Sequence, residues 1–147
     1  MLRQVGNMWH EYTTAPDMLF LFTANNVVKD GRLVMGAGSA KQARDMFPGL
    51  DKEIGQVIIA KPSTYKGNYG VIIGSGNVGA FQTKKHYRDK SSEDIIRFSV
   101  NVLLAYCEKY SIIHMPYPGI GYGGMSMEHV ENIISVLPDN VHVWTLA

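Results

Sequence analysis

Met35-Gly36-Ala37-Gly38-Ser39-Ala40 lies between an apolar strand and a stretch of helical spacing that runs to Phe47-Pro48. Two glycines ahead of a helix let the backbone approach a ligand closely. The helix N-terminus behind them presents unpaired N–H groups at the positive end of a dipole, a place that suits an anion, most often a phosphate. A tight strand-to-helix turn that binds nothing gives the same pattern. A second loop tilts the reading toward a ligand. Pro118-Gly119-Ile120-Gly121-Tyr122-Gly123-Gly124 also follows an apolar strand and precedes a helix.

Outward from these loops, the chain alternates strands and helices. Residues 2–5 form a short first strand. Residues 18–22 (MLFLF) are a continuous apolar run bounded by Pro16-Asp17 and Asn25-Asn26, as expected of a central strand buried on both faces. Residues 39–47 read as a helix closed by Pro48-Gly49. Segments 56–60 and 69–73 read as strands, and 78–83 as a weaker one. The longest helical signal is 91–110, with Ser91 or Ser92 as its N-cap and Glu93 and Asp94 in the first turn. Its apolar face is Ile95, Phe98, Val102, Ala105 and Tyr106. A strand at 111–115, a helix at 127–137 capped by Ser126, and a closing strand at 141–146 complete the order. The pattern specifies an α/β fold with a mixed sheet covered by helices on both faces. Ligands in such folds gather outside the carboxyl ends of central strands, where both glycine loops belong.

Composition narrows the classes. The 147 residues make one domain, and an apolar share of 46% suffices for a single core. A net charge of +1 gives no reason to expect nucleic acid or an anionic membrane as partner. Cys107 is the only cysteine, so there is no disulfide framework, and a reducing cytoplasm is the expected setting. No segment approaches the roughly 18 apolar residues of a membrane span. No His, Cys, Asp or Glu grouping has metal-ligand spacing, and neither a metal nor a cofactor is expected.

The element order and its polar turns resemble those of the macrodomain, the ADP-ribose-binding fold, a three-layer α/β/α arrangement around a mixed sheet. Val5-Gly6-Asn7-Met8 is similar to the family's opening Gly-Asp/Asn-Ile/Leu motif, and Thr23-Ala24-Asn25-Asn26 to its Asn-Ala-Ala-Asn turn. MGAGSAKQARDMFPG resembles the first glycine loop and helix, and MPYPGIGYGGMSMEHV the second loop and last helix. The resemblance spans nearly the whole chain. It implies that Asn7 and Met8 meet the adenine and that Asn25 touches the distal ribose. It further implies that Gly36, Ala37, Gly38, Ser39 and Ala40, with Gly119, Ile120, Gly121, Tyr122, Gly123 and Gly124, hold the diphosphate.

The resemblance is incomplete where chemistry is concerned. No carboxylate follows the second loop, which passes Gly123-Gly124-Met125-Ser126, and the first helix carries Arg44. A guanidinium stays protonated and forms no amine adduct with ribose. The implied partner is therefore ADP-ribose or a derivative, and the expected activity is hydrolysis at the distal ribose, with dephosphorylation of ADP-ribose 1″-phosphate favoured. Metal-free hydrolysis of that kind relies on positioning, on loop N–H groups, and on a water oriented by Asn25 or His86. A non-catalytic ADP-ribose reader and an ADP-ribosyl hydrolase acting on modified macromolecules or signalling nucleotides are the alternatives.

Several residues have plainer readings. Asn7 suits a turn cap, and Asn25-Asn26 an ordinary turn pair. Tyr122 suits either packing over the diphosphate or distal ribose, or docking on neighbouring protein. His86, inside Lys84-Lys85-His86-Tyr87-Arg88, suits a solvated basic turn, in which Lys84, Lys85 or Arg88 can attract an anion. Gly74-Ser75-Gly76-Asn77-Val78-Gly79 spells a GxGxxG pattern, with Glu93 at a distance that suits a ribose contact. Residues 80–85 read as a strand and basic turn instead of the helix that fingerprint requires, so a glycine-rich hairpin or a pocket-edge loop is expected there.

Overall fold

A computed structural model describes residues 1–61, 63 and 67–146, with the side chain of Tyr122 outside that description. The order is β1 (Leu2–Val5), a 3-10 turn (Met8–Glu11), β2 (Met18–Ala24), β3 (Val28–Lys29), β4 (Arg32–Leu33), α1 (Gly38–Met46) and α2 (Leu50–Ile59). There follow β5 (Val71–Ile73), β6 (Val78–Gln82), α3 (Glu93–Leu104), β7 (Ile112–Pro116), a second 3-10 turn (Gly121–Gly123), α4 (Met127–Ile134) and β8 (Val141–Thr145).

Six strands form one sheet in the order β1-β8-β7-β2-β6-β5. All neighbours pair in parallel except β5, which runs antiparallel to β6. Burial explains why β2 sits at the centre. Leu19 and Leu21 pack with Ile96, Val100, Leu103, Val130 and Ile134 of α3 and α4, while Phe20 and Phe22 pack with Ala40, Ala43, Ile54 and Ile58 of α1 and α2. Alternate side chains thus enter separate cores on the two faces, and a run apolar at every position satisfies both. The result is the three-layer α/β/α architecture with a mixed sheet that the sequence specifies.

Two local expectations need correction. Residues 56–60 are not a strand; 56–59 form the last turn of α2. Leu50, Ile54 and Ile58 recur every fourth residue and are all buried, with Asp51 and Glu53 in the first turn. This packing outweighs the strand preference of Val57-Ile58-Ile59. Gly49, at φ +92, supplies the left-handed residue that starts α2 directly after α1. The helix expected over 91–110 ends at Leu104, capped at its start by Ser92, whose Oγ accepts from the Ile95 N–H. Beyond it, Asn140 Nδ2 donates to the carbonyls of Cys107 (2.7 Å) and Tyr110 (3.0 Å), satisfying groups a continued helix would have paired.

The GxGxxG stretch is the turn of the β5–β6 hairpin, with Ile73 paired to Gly79. A Cβ on Gly79 would stand 2.9 Å from Ile73 Cα and closer still to the Ile72 carbonyl oxygen, so strand approach explains this glycine. The sequence reading did not anticipate β3–β4, a two-residue hairpin turned by Asp30 (φ +53) and Gly31 (φ +74). It lies on α2: a Cβ on Gly55 would meet the Gly31 carbonyl oxygen and come within 2.9 Å of Leu33 N.

Candidate functional site

Because β1, β8, β7, β2 and β6 are parallel, their carboxyl ends share one edge of the sheet. The segments that follow them line a single cavity of about 1080 Å³. Strand order becomes position along this cleft. Residues 6–9, after β1, and 144–146, at the end of β8, stand at one end, with Pro116, Tyr117, Gly119, Ile120, Gly121 and Gly123, at and beyond the end of β7, next to them. Residues 23–25 and 83–84, after β2 and β6, stand at the other end. Residues 36–40 also line the cavity.

The first glycine loop has the chemistry its sequence suggests. Ala37 is the N-cap of α1 in extended backbone, no side chain caps the helix, and no acid occupies its first turn. Its first N–H groups therefore have no helical acceptor and no competing carboxylate. Ser39 is held by the Thr23 N–H, which donates to its Oγ at 3.3 Å. A Cβ on Gly36 would meet nothing within 4 Å. The second loop is held from behind. Ser91 N–H donates to the Gly123 carbonyl (3.0 Å) and Met125 N–H to the Gly119 carbonyl (2.9 Å). Gly119 and Gly121 take φ +82 and +66, values that favour glycine.

The expected site residues converge here in large part. Asn7, Met8, Asn25, Gly36, Ala37, Gly38, Ser39 and Ala40 all line the cavity, as do Gly119, Ile120, Gly121 and Gly123. Asn7 caps the turn that follows β1: its Oδ1 accepts the Trp9 N–H at 3.1 Å, as the plain reading of that residue expects. Asn25 is buried, its Nδ2 donating to the Val34 carbonyl (3.0 Å) and its Oδ1 accepting the Val27 N–H (2.9 Å). Among the described residues, one amide hydrogen and one lone pair stay uncommitted. Gly124 is not among the lining residues; it closes the 3-10 turn at φ +78. The expected packing of Tyr122 over a diphosphate or distal ribose falls on a side chain outside the described residues.

His86 also stands outside the lining. Its Nδ1 accepts the Arg88 N–H (3.0 Å), its own N–H donates to Asp89 Oδ2 (3.2 Å), and its ring lies 4.2 Å from that of Tyr87. Arg44 points elsewhere too, paired with Asp45 on the exposed side of α1. Lys84 does line the cavity, its Nζ donating to the carbonyls of Tyr87 (3.3 Å) and Asp89 (3.2 Å). With Lys29 it supplies all the charge on the described lining, which contains no carboxylate.

Other walls were not foreseen. Trp9, Tyr117, Trp144 and Leu146 line the cavity, and Leu146 is 80% exposed, an apolar surface at the Asn7 end. Tyr117 OH donates to Glu131 Oε1 (2.8 Å), and Arg3 Nη2 donates to Glu131 Oε2 (2.8 Å). Arg3 first and Tyr117 second hold that carboxyl down at about 2. Trp144 Nε1 donates to His114 Nδ1 (3.1 Å). A period-2 reading of 141–146 finds Trp144 opposite Val141 and Val143, but only the strand order shows that its face meets the cleft.

No family model and no curated protein matches the sequence. Solved structures do. The chain is similar to the macrodomain of Thermus aquaticus DarG over all of its own length and 98% of that chain, at 25% identity and a TM-score of 0.70. It matches the macrodomain of Mycobacterium tuberculosis DarG over 99% of its length and 97% of that chain, at 23% identity and a TM-score of 0.65. The structure of Thermosipho africanus DarTG in complex with ADP-ribose aligns with 87% of this chain, which spans 38% of that longer one, at 20% identity and a TM-score of 0.66. By these alignments, which run over nearly its whole length, the chain has the fold of a macrodomain.

Proposed function

We propose that the cleft binds an ADP-ribose unit and that the protein hydrolyses a group attached to its distal ribose. The observation that carries this reading is the convergence of two loops of bare backbone on one cavity, where the charges among the described lining residues are ammonium groups. A diphosphate needs N–H donors and no competing carboxylate; residues 36–40 and 119–123 supply that combination. Asn7 and Met8, with the apolar Trp144 and Leu146, suit a purine. Asn25, with one amide hydrogen free, suits a ribose hydroxyl at the other end. The Thermosipho africanus relative bound to ADP-ribose supports the choice of ligand.

For the reaction, dephosphorylation of ADP-ribose 1″-phosphate fits a far end that carries Lys29 and Lys84. Loop N–H groups and ammonium groups would stabilise charge on the phosphoryl oxygens, and Asn25 would orient the attacking water. A second reading draws on Lys84 alone. Unlike Arg44, a primary amine can attack the anomeric carbon of the distal ribose, expel an attached group and later yield the sugar to water. That chemistry would release ADP-ribose from a modified macromolecule.

Calorimetry with ADP-ribose, followed by turnover assays on ADP-ribose 1″-phosphate and on ADP-ribosylated protein, tests the proposal. Binding with phosphate release supports the first reaction, and binding with ADP-ribose release supports the second. Binding without turnover of either leaves a reader, and absence of binding overturns the proposal. Lys84→Met is expected to abolish release from ADP-ribosylated protein while Arg44→Met leaves it; equal rates in the two variants would remove the amine from that reaction.

A further inference from the structure

The β3–β4 hairpin reaches the cleft from the side of α2 and is fixed on every flank. At its base, the Asn25 amide bonds to Val34 and Val27, and Val34 N–H donates to the Val27 carbonyl at 2.9 Å. At its tip, Gln56 Nε2 donates to the Gly31 carbonyl (3.2 Å), and Arg32 pairs with Asp51 at 3.1 Å. A side chain on this hairpin therefore starts from a determined backbone position. Lys29 is that side chain on the cavity wall.

Its ammonium donates to Tyr87 OH at 2.7 Å and lies 4.9 Å from the centre of the Tyr87 ring. Tyr87, also on the cavity wall, comes from the segment between β6 and α3, so the contact joins two separate loops across the far end. The Lys29 hydrogen bond, more than its charge or that of Arg88, holds the Tyr87 hydroxyl below the usual phenol range. Acids are close in sequence but engaged elsewhere or apart: Asp89 Oδ2 accepts the His86 N–H, and Asp30 forms no ion pair among the described residues. Among the described residues, Lys29 and Lys84 thus offer two ammonium groups with neutral oxygen partners and no counter-carboxylate. Neutral partners leave a cation's charge available to an incoming anion.

We infer that Lys29, presented by the hairpin and tethered to Tyr87, selects nucleotides that carry an anionic substituent on the distal ribose. This rests on the proposed placement of that ribose at the Asn25 end. The phosphoryl group displaces the Tyr87 hydroxyl as the partner of the ammonium, and no bond is made or broken in the selection itself.

The test is the ratio of affinities for ADP-ribose 1″-phosphate and ADP-ribose, read by calorimetry on wild type, Lys29→Met and Lys29→Arg. Lys29 is exposed, so both variants are expected to melt at the wild-type temperature. The phosphorylated nucleotide is expected to bind wild type more tightly. Lys29→Met should lower the ratio by about threefold to fivefold, the range of one partly exposed ion pair, and Lys29→Arg should restore it. A ratio that changes by less than about twofold in Lys29→Met overturns the inference while leaving the cleft assignment standing. Failure of wild type to bind either nucleotide overturns both.

Discussion

Gly36 separates binding from folding. A Cβ there meets nothing within 4 Å while the position lines the cleft, so Gly36→Val is expected to keep the wild-type melting temperature and weaken ADP-ribose binding at least tenfold. Unchanged affinity by calorimetry would remove the first loop from the site. Two titrating groups contribute to the acid behaviour in separate windows. Burial, with a smaller contribution from His142, lowers His114 from its usual 6.5 to about 4, so the folded ring is neutral where the unfolded one is charged. The stability this confers is complete above 6.5 and is lost as pH falls toward 4. Glu131, held at about 2 by Arg3 and Tyr117, acts lower: its contribution fades as pH falls from the ordinary carboxylate range to about 2. Melting temperature should fall in both windows, with His114→Asn flattening the upper one and Glu131→Gln the lower. Residues 36–40 were legible because glycines ahead of a helix mark them, and Asn7 through the likeness of Val5-Gly6-Asn7-Met8 to a family motif. Lys29, Tyr117 and Trp144 were not, since nothing local reports which distant strand will bring them to the cleft.

At the scale of elements, the strongest patterns transferred best. MLFLF specified a doubly buried strand, and Ser126 and Ser92 marked helix starts that the structure keeps. The strand assigned to 56–60 failed because a β-branched run outweighed the four-residue spacing of Leu50, Ile54 and Ile58, which was equally visible. The β3–β4 hairpin had a signal too, Asp30-Gly31 between Val28-Lys29 and Arg32-Leu33, but two-residue strands fall below the length at which alternation can be counted. Gly79 shows the opposite case, a glycine that matches a nucleotide fingerprint and serves strand packing. Gly79→Ala is expected to cost about 1–3 kcal/mol through overpacking against Ile72 and Ile73. Urea denaturation reads this directly, and an unaltered midpoint would contradict the close approach described.

The whole molecule adds what no segment contains. Order along the chain is scrambled into β1-β8-β7-β2-β6-β5, and that permutation decides which loops are neighbours at the carboxyl edge. A reader of sequence alone has the loops without their sequence in space, so only the familiar arrangement of a resembling family could supply it. The consequence is a molecular ruler. Two short fragments, AMP and ribose 5-phosphate, should dock on one copy of the protein where their phosphates do not overlap. A tether between them gains by effective concentration what neither contact provides.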